Sequence, residues 1–327
     1  MAGGYTHITL AQLAAEEIRR RPELLHEEHR LALSRWQKFL IIGAMGPDYP
    51  YLDIADSSSE AWAAAMHTSS CVAVIRECVR LIRPMSAPLL RQKCAAWLFG
   101  FASHCVTDGT VHPIVNKKVG AYEQHKTEHR CCEMSQDVLV HRKLNLGAID
   151  LNGQLSLNVV ETSDGSSLLL DRDIAAMWTA ALNAVYRSGQ PASFSLLDRF
   201  IRRVAGSMSG NQLLPPDPNE WHRAMRRNIK LAENGGRLMP FARHVAANAG
   251  LTYPAEPDPK YVLKLELPIQ GSKMDFEEIF NKVLLHIANF WGHLSLALQG
   301  QPSPLDNMDG WSLDEGLDRN QRFVFWS

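Results

Sequence analysis

Hydrophobic residues recur every three or four positions along most of this chain, which is the spacing that places them on one face of an α-helix. One segment, "SSSEAWAAAMHTSSCVAVIRECVRLIR", also opens with the Ser and Glu of a helix start and is followed by Pro84. The pattern predicts helices over residues 7–21, 28–43, 57–83, 88–112, 121–145, 171–187, 195–208, 218–233 and 274–298. We therefore expect a mainly α-helical protein.

The helical pattern is interrupted near residue 148. There "AIDLNGQLSLNVVETSDG" places Asn-Gly between short alternating runs, which is typical of a β-hairpin. Further along, a proline-rich loop precedes "KYVLKLELPIQ", which alternates like an edge strand. We expect a multi-helical bundle with a small β-hairpin elaboration, a core in residues 1–148 and a mostly helical extension in residues 149–327. The extension is either a separate unit or the completion of the same domain.

The composition excludes several classes of protein. The chain has 327 residues, 46% hydrophobic and 21% charged, which is typical of a globular protein. Its formal net charge of −1 gives no overall field for nucleic acid or an anionic membrane. No apolar run approaches the roughly 20 residues that cross a bilayer, and no signal peptide is visible. We expect a cytoplasmic protein, and these residues do not test delivery through a secretion system.

The six cysteines form no CxxC pair and lie in apolar, helix-like segments. Without an export signal, the expectation is buried, reduced thiols. Neither a disulfide framework nor a thiolate zinc site is expected from this spacing.

The stretch "FGFASHCVTDGTVHP" places His104, Asp108 and His112 four residues apart, each one turn above the last on one helix face. Pro113 follows at once, so the helix is expected to end there. A second ladder lies in "HKTEHRCCEMSQD", where His125, His129, Glu133 and Asp137 repeat the same spacing. Imidazole and carboxylate ligands suit zinc best, and they also accept manganese or iron.

His–carboxylate pairs four residues apart often only support a helix. Here the apolar run around His104 favours metal ligation, because a buried carboxylate without a cation is costly. Other metal-dependent folds fit less well. The order of residues is not the Glu-x-x-His of ferritin-like di-iron proteins, HExxH of the zincins is absent, and the chain has no His-Asp dipeptide of the helical phosphohydrolases.

Together with His7, "GAMGPDYPYL" around Asp48 and "AAAMHTSS" around His67, these motifs resemble the zinc-dependent phospholipase C family, which shares its fold with secreted single-strand nucleases. The resemblance is specific over residues 5–145 and is closest to a bacterial branch without a signal peptide. It implies an α-helical phosphodiester hydrolase that cleaves glycerophospholipids with zinc-activated hydroxide. A nuclease on the same metal cluster and a non-catalytic scaffold that retains the fold are the alternatives.

The resemblance also implies a cluster of two to three zinc ions. His67, His104 and Asp108 would hold the first, with Asp48 as a fourth ligand or as the catalytic base. His112, His129 and Glu133 would hold the second. Asp108 would bridge to a third, completed by His7 and the terminal amine, which would belong to Ala2 once Met1 is removed.

Several polar residues fall outside this set. Asp137 is expected to orient a ligating histidine or to form a structural ion pair. His125 is expected either to support a ligand from behind or to lie at the surface, and the surface position is favoured. Structural roles are expected for His141, His222, His244, His286 and His293. Arg223, Arg226, Arg227 and Lys230 share half a helix, which indicates either a solvated face or a contact with an anionic headgroup or phosphate. The expected partner is a phospholipid or another phosphodiester, with peripheral membrane contact and no integral membrane segment; nucleic acid is the less favoured substrate.

Overall fold

The computed structural model describes residues 2–53, 56–68, 70–143, 159–165, 168–187, 213–235, 251, 254–269 and 271–326. This part of the chain is mainly α-helical, which confirms the expected fold class. The helices are α1 Gly4–Arg20, α2 Glu27–Arg35, α3 Gln37–Ala44, α4 Ser57–Met66, α5 Cys71–Ile82, α6 Pro88–Val119, α7 Lys126–Lys143, α8 Arg172–Tyr186, α9 Pro218–Gly235, α10 Pro259–Val262 and α11 Phe276–Leu298. Strands β1 Leu265–Glu266 and β2 Lys273–Met274 pair antiparallel.

Helix α6 is the central element of the bundle. It has 32 residues, and every residue from Gln92 to Val115 is buried. A helix that is buried on all faces must be covered on every side. The cover comes from α3, which makes the most extensive contact, and from α11, α2, α1 and α5.

The expected end of this helix at Pro113 is wrong. The helix continues to Val119 and ends at Gly120, which has a φ of 95°. Proline has no N–H, so the carbonyl of Gly109, four residues earlier, loses its helical partner. Gly316 of the C-terminal tail packs at this point, where a Cβ would lie only 2.4 Å from Gly109 O and 2.5 Å from Pro113 Cγ. The tail therefore packs directly against the helix at the proline position.

Two other expected helices are each divided in two. The first, 28–43, breaks at Trp36 into α2 and α3, and the second, 57–83, breaks into α4 and α5. The second break leaves His67 at the C-terminal cap of α4, with φ −85° and ψ −2°. Most of the hairpin expected near residue 150 and the helix expected at 195–208 lie outside the described residues. The strand expected in "KYVLKLELPIQ" is only the two residues of β1, because α10 occupies the start of that segment.

The described residues on both sides of position 148 contribute to one hydrophobic core. Three tryptophans from the C-terminal part donate their indole N–H groups to backbone carbonyls of α6. The pairs are Trp291 to Phe99 at 2.9 Å, Trp311 to Cys105 at 3.1 Å and Trp326 to Thr110 at 2.8 Å. These bonds attach α11 and the tail to the helix that carries the first ladder. The division of the chain near residue 148 stays a prediction.

All six cysteines are free thiols, and five of them are buried, as expected. In the part of the chain that the structure describes, no helix combines the length and the apolar character needed to cross a membrane.

Two glycines allow α3 and α6 to touch at the backbone. A Cβ on Gly43 would lie 2.0 Å from Trp97 O, and a Cβ on Gly100 would lie 2.1 Å from Leu40 O. Any larger residue at either position would push the helices apart. This close crossing brings the carbonyl of Ala44 to within 2.8 Å of His104 Nδ1.

We predict that Gly100→Ala lowers the free energy of unfolding by about 1–3 kcal/mol, the usual effect of overpacking. Urea denaturation measures the change. Gly292→Ala is the matched control. Gly292 also lies inside a helix that packs on the core, but a Cβ there would meet nothing closer than Leu24 O at 3.6 Å. The control should be neutral or stabilising by up to about 1 kcal/mol. Equal effects of the two substitutions would contradict the importance of the crossing.

Candidate metal centre

The carboxylate of Asp108 is completely buried, and four imidazoles converge on it. Their Nε2 atoms lie 3.1 Å (His104), 3.2 Å (His7), 3.3 Å (His112) and 3.7 Å (His67) from its oxygens. The backbone nitrogen of Ala2 also donates to Asp108 Oδ1 at 3.1 Å. Residues distant in the sequence therefore meet at one carboxylate.

Each element of the bundle contributes a different part of this site. Helix α6 presents His104, Asp108 and His112 on one stripe, as the four-residue spacing requires. The first turns of α1 supply His7. The 3₁₀ turn Gly46–Leu52, which contains two prolines, supplies Asp48, and Asp48 Oδ1 lies 3.3 Å from His67 Nε2.

Backbone carbonyls orient two of the histidines. His104 Nδ1 lies 2.8 Å from Ala44 O, and His67 Nδ1 lies 2.7 Å from Ala63 O. A carbonyl only accepts, so the Nδ1 atoms carry the protons when the rings are neutral. The Nε2 lone pairs then point at the carboxylates, which is the arrangement that metal-binding histidines use.

The centre contains buried polar atoms that have no hydrogen-bond partner in the described part of the chain. They are Nε2 of His7, His67 and His104, Oδ2 of Asp108 and both oxygens of Asp48. Unsatisfied buried polar atoms are costly and rare, and several in one place require an explanation. Among the described residues, the ligand atoms of His7, Asp48 and His104, and those of His67, His104 and Asp108, lie within 4.8 Å of one another. A shared cation would satisfy these atoms together.

The charges of the site follow from burial and from the mutual contacts. Burial would raise the pKa of Asp108, but the neighbouring imidazoles of His112, His104 and His7 hold it well below its usual range. Burial would also raise the pKa of Asp48, and His104 and His67 instead lower it. Both carboxylates are therefore ionised at neutral pH and are able to act as ligands.

The imidazoles of His7 and His104 are stacked, with ring centroids 3.8 Å apart and an interplanar angle of 6°. Burial and the neighbouring His104 lower the pKa of His7. Burial also acts to lower the pKa of His104, but Asp108 and Asp48 outweigh it and raise that pKa. The two rings therefore do not share positive charge equally: His7 loses its proton more readily, and His104 must release its proton when it binds a metal.

Imidazole nitrogens and carboxylate oxygens in a buried site suit zinc. The comparison with family models agrees with this donor set: the model described as zinc dependent phospholipase C matches residues 6–188, more than half of the chain. The chain belongs to the zinc-dependent phospholipase C family. Neither the curated proteins nor the solved structures contain a match to it.

Six of the eight expected zinc ligands lie together around Asp108, and their roles as ligands stay a prediction; they are His7, Asp48, His67, His104, Asp108 and His112. The other two, His129 and Glu133, are buried on α7 and have protein partners. His129 Nε2 lies 2.7 Å from Gly120 O, and Glu133 Oε2 lies 3.2 Å from the buried Arg130 Nη1. Neither grouping of ligand atoms among the described residues includes His112, His129 or Glu133, so the second zinc site stays a prediction.

The remaining histidines of this family member have other surroundings. His222 is buried between Tyr49 Oη at 3.3 Å and Ser163 Oγ at 3.0 Å, and His286 stacks on Phe325. These contacts suit the expected structural roles. His125 is half-buried against Gly120 and not fully at the surface. Among the other histidines, His141 packs near Tyr5, His293 is partly buried, and His244 lies outside the described residues.

The arginines of α9 are already engaged. Arg223 and Arg227 pair with Glu220 at 2.6 Å and 3.2 Å, and Arg226 donates to Ser163. These contacts favour a structural surface over a phosphate site. Of Lys230, only its place in the helix is described.

The sequence did not indicate the carbonyls of Ala44 and Ala63, because backbone acceptors have no residue signature. It also did not indicate that Asp137 accepts hydrogen bonds from Thr6, on α1. The pairing of Arg130 with Glu133 could have been found, since arginine three residues before glutamate on a helix is a common ion pair.

We predict that acid destabilises the protein through buried neutral histidines. Burial lowers the pKa of both His29 and His222 to about 4, with Arg226 adding to the effect at His222. The unfolded chain therefore binds more protons than the folded chain between pH 6.5 and 4. Each buried ring contributes up to about 3 kcal/mol to the free energy of unfolding. This contribution is present above pH 6.5 and is lost as the pH falls through this window.

The pH dependence of urea unfolding measures this loss. His222→Gln should make the decrease of the unfolding free energy between pH 6.5 and 4 less steep. The double substitution with His29→Gln should reduce the decrease further. An unchanged slope in the double variant would show that these rings are not the titrating groups.

Proposed function

We propose that this protein is a zinc-dependent phosphodiester hydrolase that cleaves glycerophospholipids as a phospholipase C, releasing diacylglycerol and a phosphorylated headgroup. The observation that carries this proposal is the convergence of unsatisfied imidazole nitrogens and carboxylate oxygens around the buried Asp108. The family match supports zinc as the metal and hydrolysis as the reaction class.

We assign the ligands as the resemblance implies. His67, His104 and Asp108 hold one ion with Asp48 nearby, and His7 with Asp108 holds another beside the nitrogen of Ala2. The contacts of these residues at 3.1–3.7 Å support both assignments. His112 with His129 and Glu133 forms the remaining site, which gives two to three ions in total.

Zinc bound here would make water acidic enough to supply hydroxide near neutral pH and would offset the charge of a phosphodiester. Asp48 is the proposed base. It is almost completely buried, its carboxylate is ionised, and its oxygens have no hydrogen-bond donor in the described part of the chain, so it is able to accept a proton from water. Because its pKa is lowered, Asp48 is a weak base and would accept a proton only from water that bound zinc makes more acidic.

Three of the buried thiols are poor nucleophiles. Burial raises the pKa of Cys94 to about 12 and also raises the pKa of Cys78 and of Cys132. These cysteines stay protonated at neutral pH and are not reactive. The chemistry is assigned to the histidine and carboxylate cluster.

We predict that Asp108→Asn removes zinc and activity together. Wild-type protein should contain about two to three zinc ions per chain by elemental analysis, and the variant less than about one, because the amide cannot replace a bridging carboxylate. Asp171→Asn is the control. It removes a carboxylate that pairs with Lys93 at the other end of α6, at 2.7 Å, and should leave the zinc content unchanged. Full zinc content in Asp108→Asn would contradict the assignment.

The substrate class is tested by comparing three compounds on the zinc-loaded protein. A phosphatidylcholine analogue should be hydrolysed faster than bis-p-nitrophenyl phosphate, and single-stranded DNA should be cleaved slowest. Asp48→Asn should lower kcat by about 100-fold or more with all of them if Asp48 is the base. Preferred cleavage of DNA would favour the nuclease, and zinc binding without hydrolysis of any of the three would favour a scaffold.

A further inference from the structure

No side chain at the start of α1 is able to cap the first turn of this helix. The first four N–H groups of an α-helix have no acceptor within the helix. The cap residue here is Gly3, which has no side chain to accept a hydrogen bond, and the first turn contains no acidic residue. All residues from 2 to 11 are buried, so bulk water does not supply the acceptor.

A carboxylate from another helix supplies the missing acceptor. Asp137 on α7 is fully buried, and its Oδ1 accepts hydrogen bonds from Thr6 N at 2.9 Å and Thr6 Oγ1 at 2.8 Å. This is the amide that a Ser or Asp cap would normally satisfy, at the third position of the helix. A carboxylate in this position also interacts favourably with the positive end of the helix dipole.

Gly3 is required for this approach. A Cβ on Gly3 would lie 2.1 Å from Asp137 Oδ2 and 2.2 Å from Cγ. The residue that lacks its own capping side chain is therefore the residue that admits the carboxylate of Asp137.

The capped turn carries His7 into the metal centre. His7 follows Thr6 directly, and its amide closes the first helical hydrogen bond, to Gly3 O at 3.2 Å. Its ring reaches Asp108 and stacks on His104. The turn is thus held by two carboxylates, Asp108 through the ring of His7 and Asp137 through Thr6.

We infer that Asp137 is a positioning residue of the metal centre, which caps α1 from α7 and thereby fixes His7 against Asp108. The inference rests on the proposed function in so far as His7 is a zinc ligand. Asp137 lies one turn beyond Glu133 and two turns beyond His129 on the same helix. Helix α7 therefore connects the expected second zinc site to the position of His7.

Hydrogen exchange in the metal-free protein tests the cap without using zinc or activity. In Asp137→Ala, peptides covering residues 2–10 should exchange at least about tenfold faster than in wild type, since both hydrogen bonds to Thr6 are lost. Thr6→Val removes only the hydroxyl bond and should have a smaller effect, and Thr6→Ser should restore the wild-type rate. The Thr6 series decides the question if Asp137→Ala fails to fold.

Zinc titration tests the positioning. Asp137→Ala and, more weakly, Thr6→Val should lower the zinc affinity of one site by about tenfold or more, while the remaining sites and Thr6→Ser behave as wild type. Asp171→Asn again controls for general destabilisation.

If Asp137→Ala exchanges faster but binds zinc as wild type does, Asp137 only caps the helix and does not position His7. If hydrogen exchange is unchanged, Asp137 does not stabilise the first turn of α1. If wild-type protein binds no zinc, the proposed function and the positioning role both fail, whereas the exchange result still stands. The two failures are therefore distinguishable.

Discussion

A carboxylate without solvent contact must obtain all of its stabilisation from the protein, and Asp108, at the centre of the bundle, is such a carboxylate. Four imidazoles and the backbone nitrogen of Ala2 surround its oxygens. Because an uncompensated buried charge costs several kcal/mol, the elements that deliver these groups are not free to move independently. The positions of α1 and of α4 are thus tied to one side chain of α6, and the 3₁₀ turn around Asp48 is tied to His67 and His104.

The burial of α6 makes this arrangement possible. Its polar residues would ordinarily oppose burial, but Ser103, Thr107 and Thr110 each donate their hydroxyl to a carbonyl one turn earlier in the same helix. Other α6 carbonyls accept a further bond from an indole N–H, such as that of Trp311. Gly43 and Gly100 then let α3 approach at backbone distance. The helix satisfies its polar groups locally and keeps one stripe for the metal centre.

Much of this was accessible from the sequence, and the reason is the period of the helix. A four-residue spacing fixes which side chains share a face, so the stripe of His104, Asp108 and His112 followed from counting. The breaks after Met66 and at Trp36 did not, because neither is marked by proline or glycine and both depend on packing against other helices. A proline costs a helix one hydrogen bond but does not always end it, so the local pattern does not decide that α6 continues through Pro113 to Val119.

The two halves of the expected zinc cluster differ in what a metal must displace. Around Asp108, the Nδ1 atoms of His67 and His104 are held by carbonyls, while the Nε2 atoms have no hydrogen-bond partner within the described residues. On α7, His129 Nε2 contacts Gly120 O, and Glu133 pairs with the guanidinium of Arg130. A dication at Glu133 must share or replace that guanidinium, whose like charge opposes it in a site of low dielectric. The contact of His129 with a carbonyl resembles those of His67 and His104, with the two ring nitrogens exchanged. Binding at Glu133 therefore requires a rearrangement of its pair with Arg130, whereas the ligands around Asp108 already point toward one another.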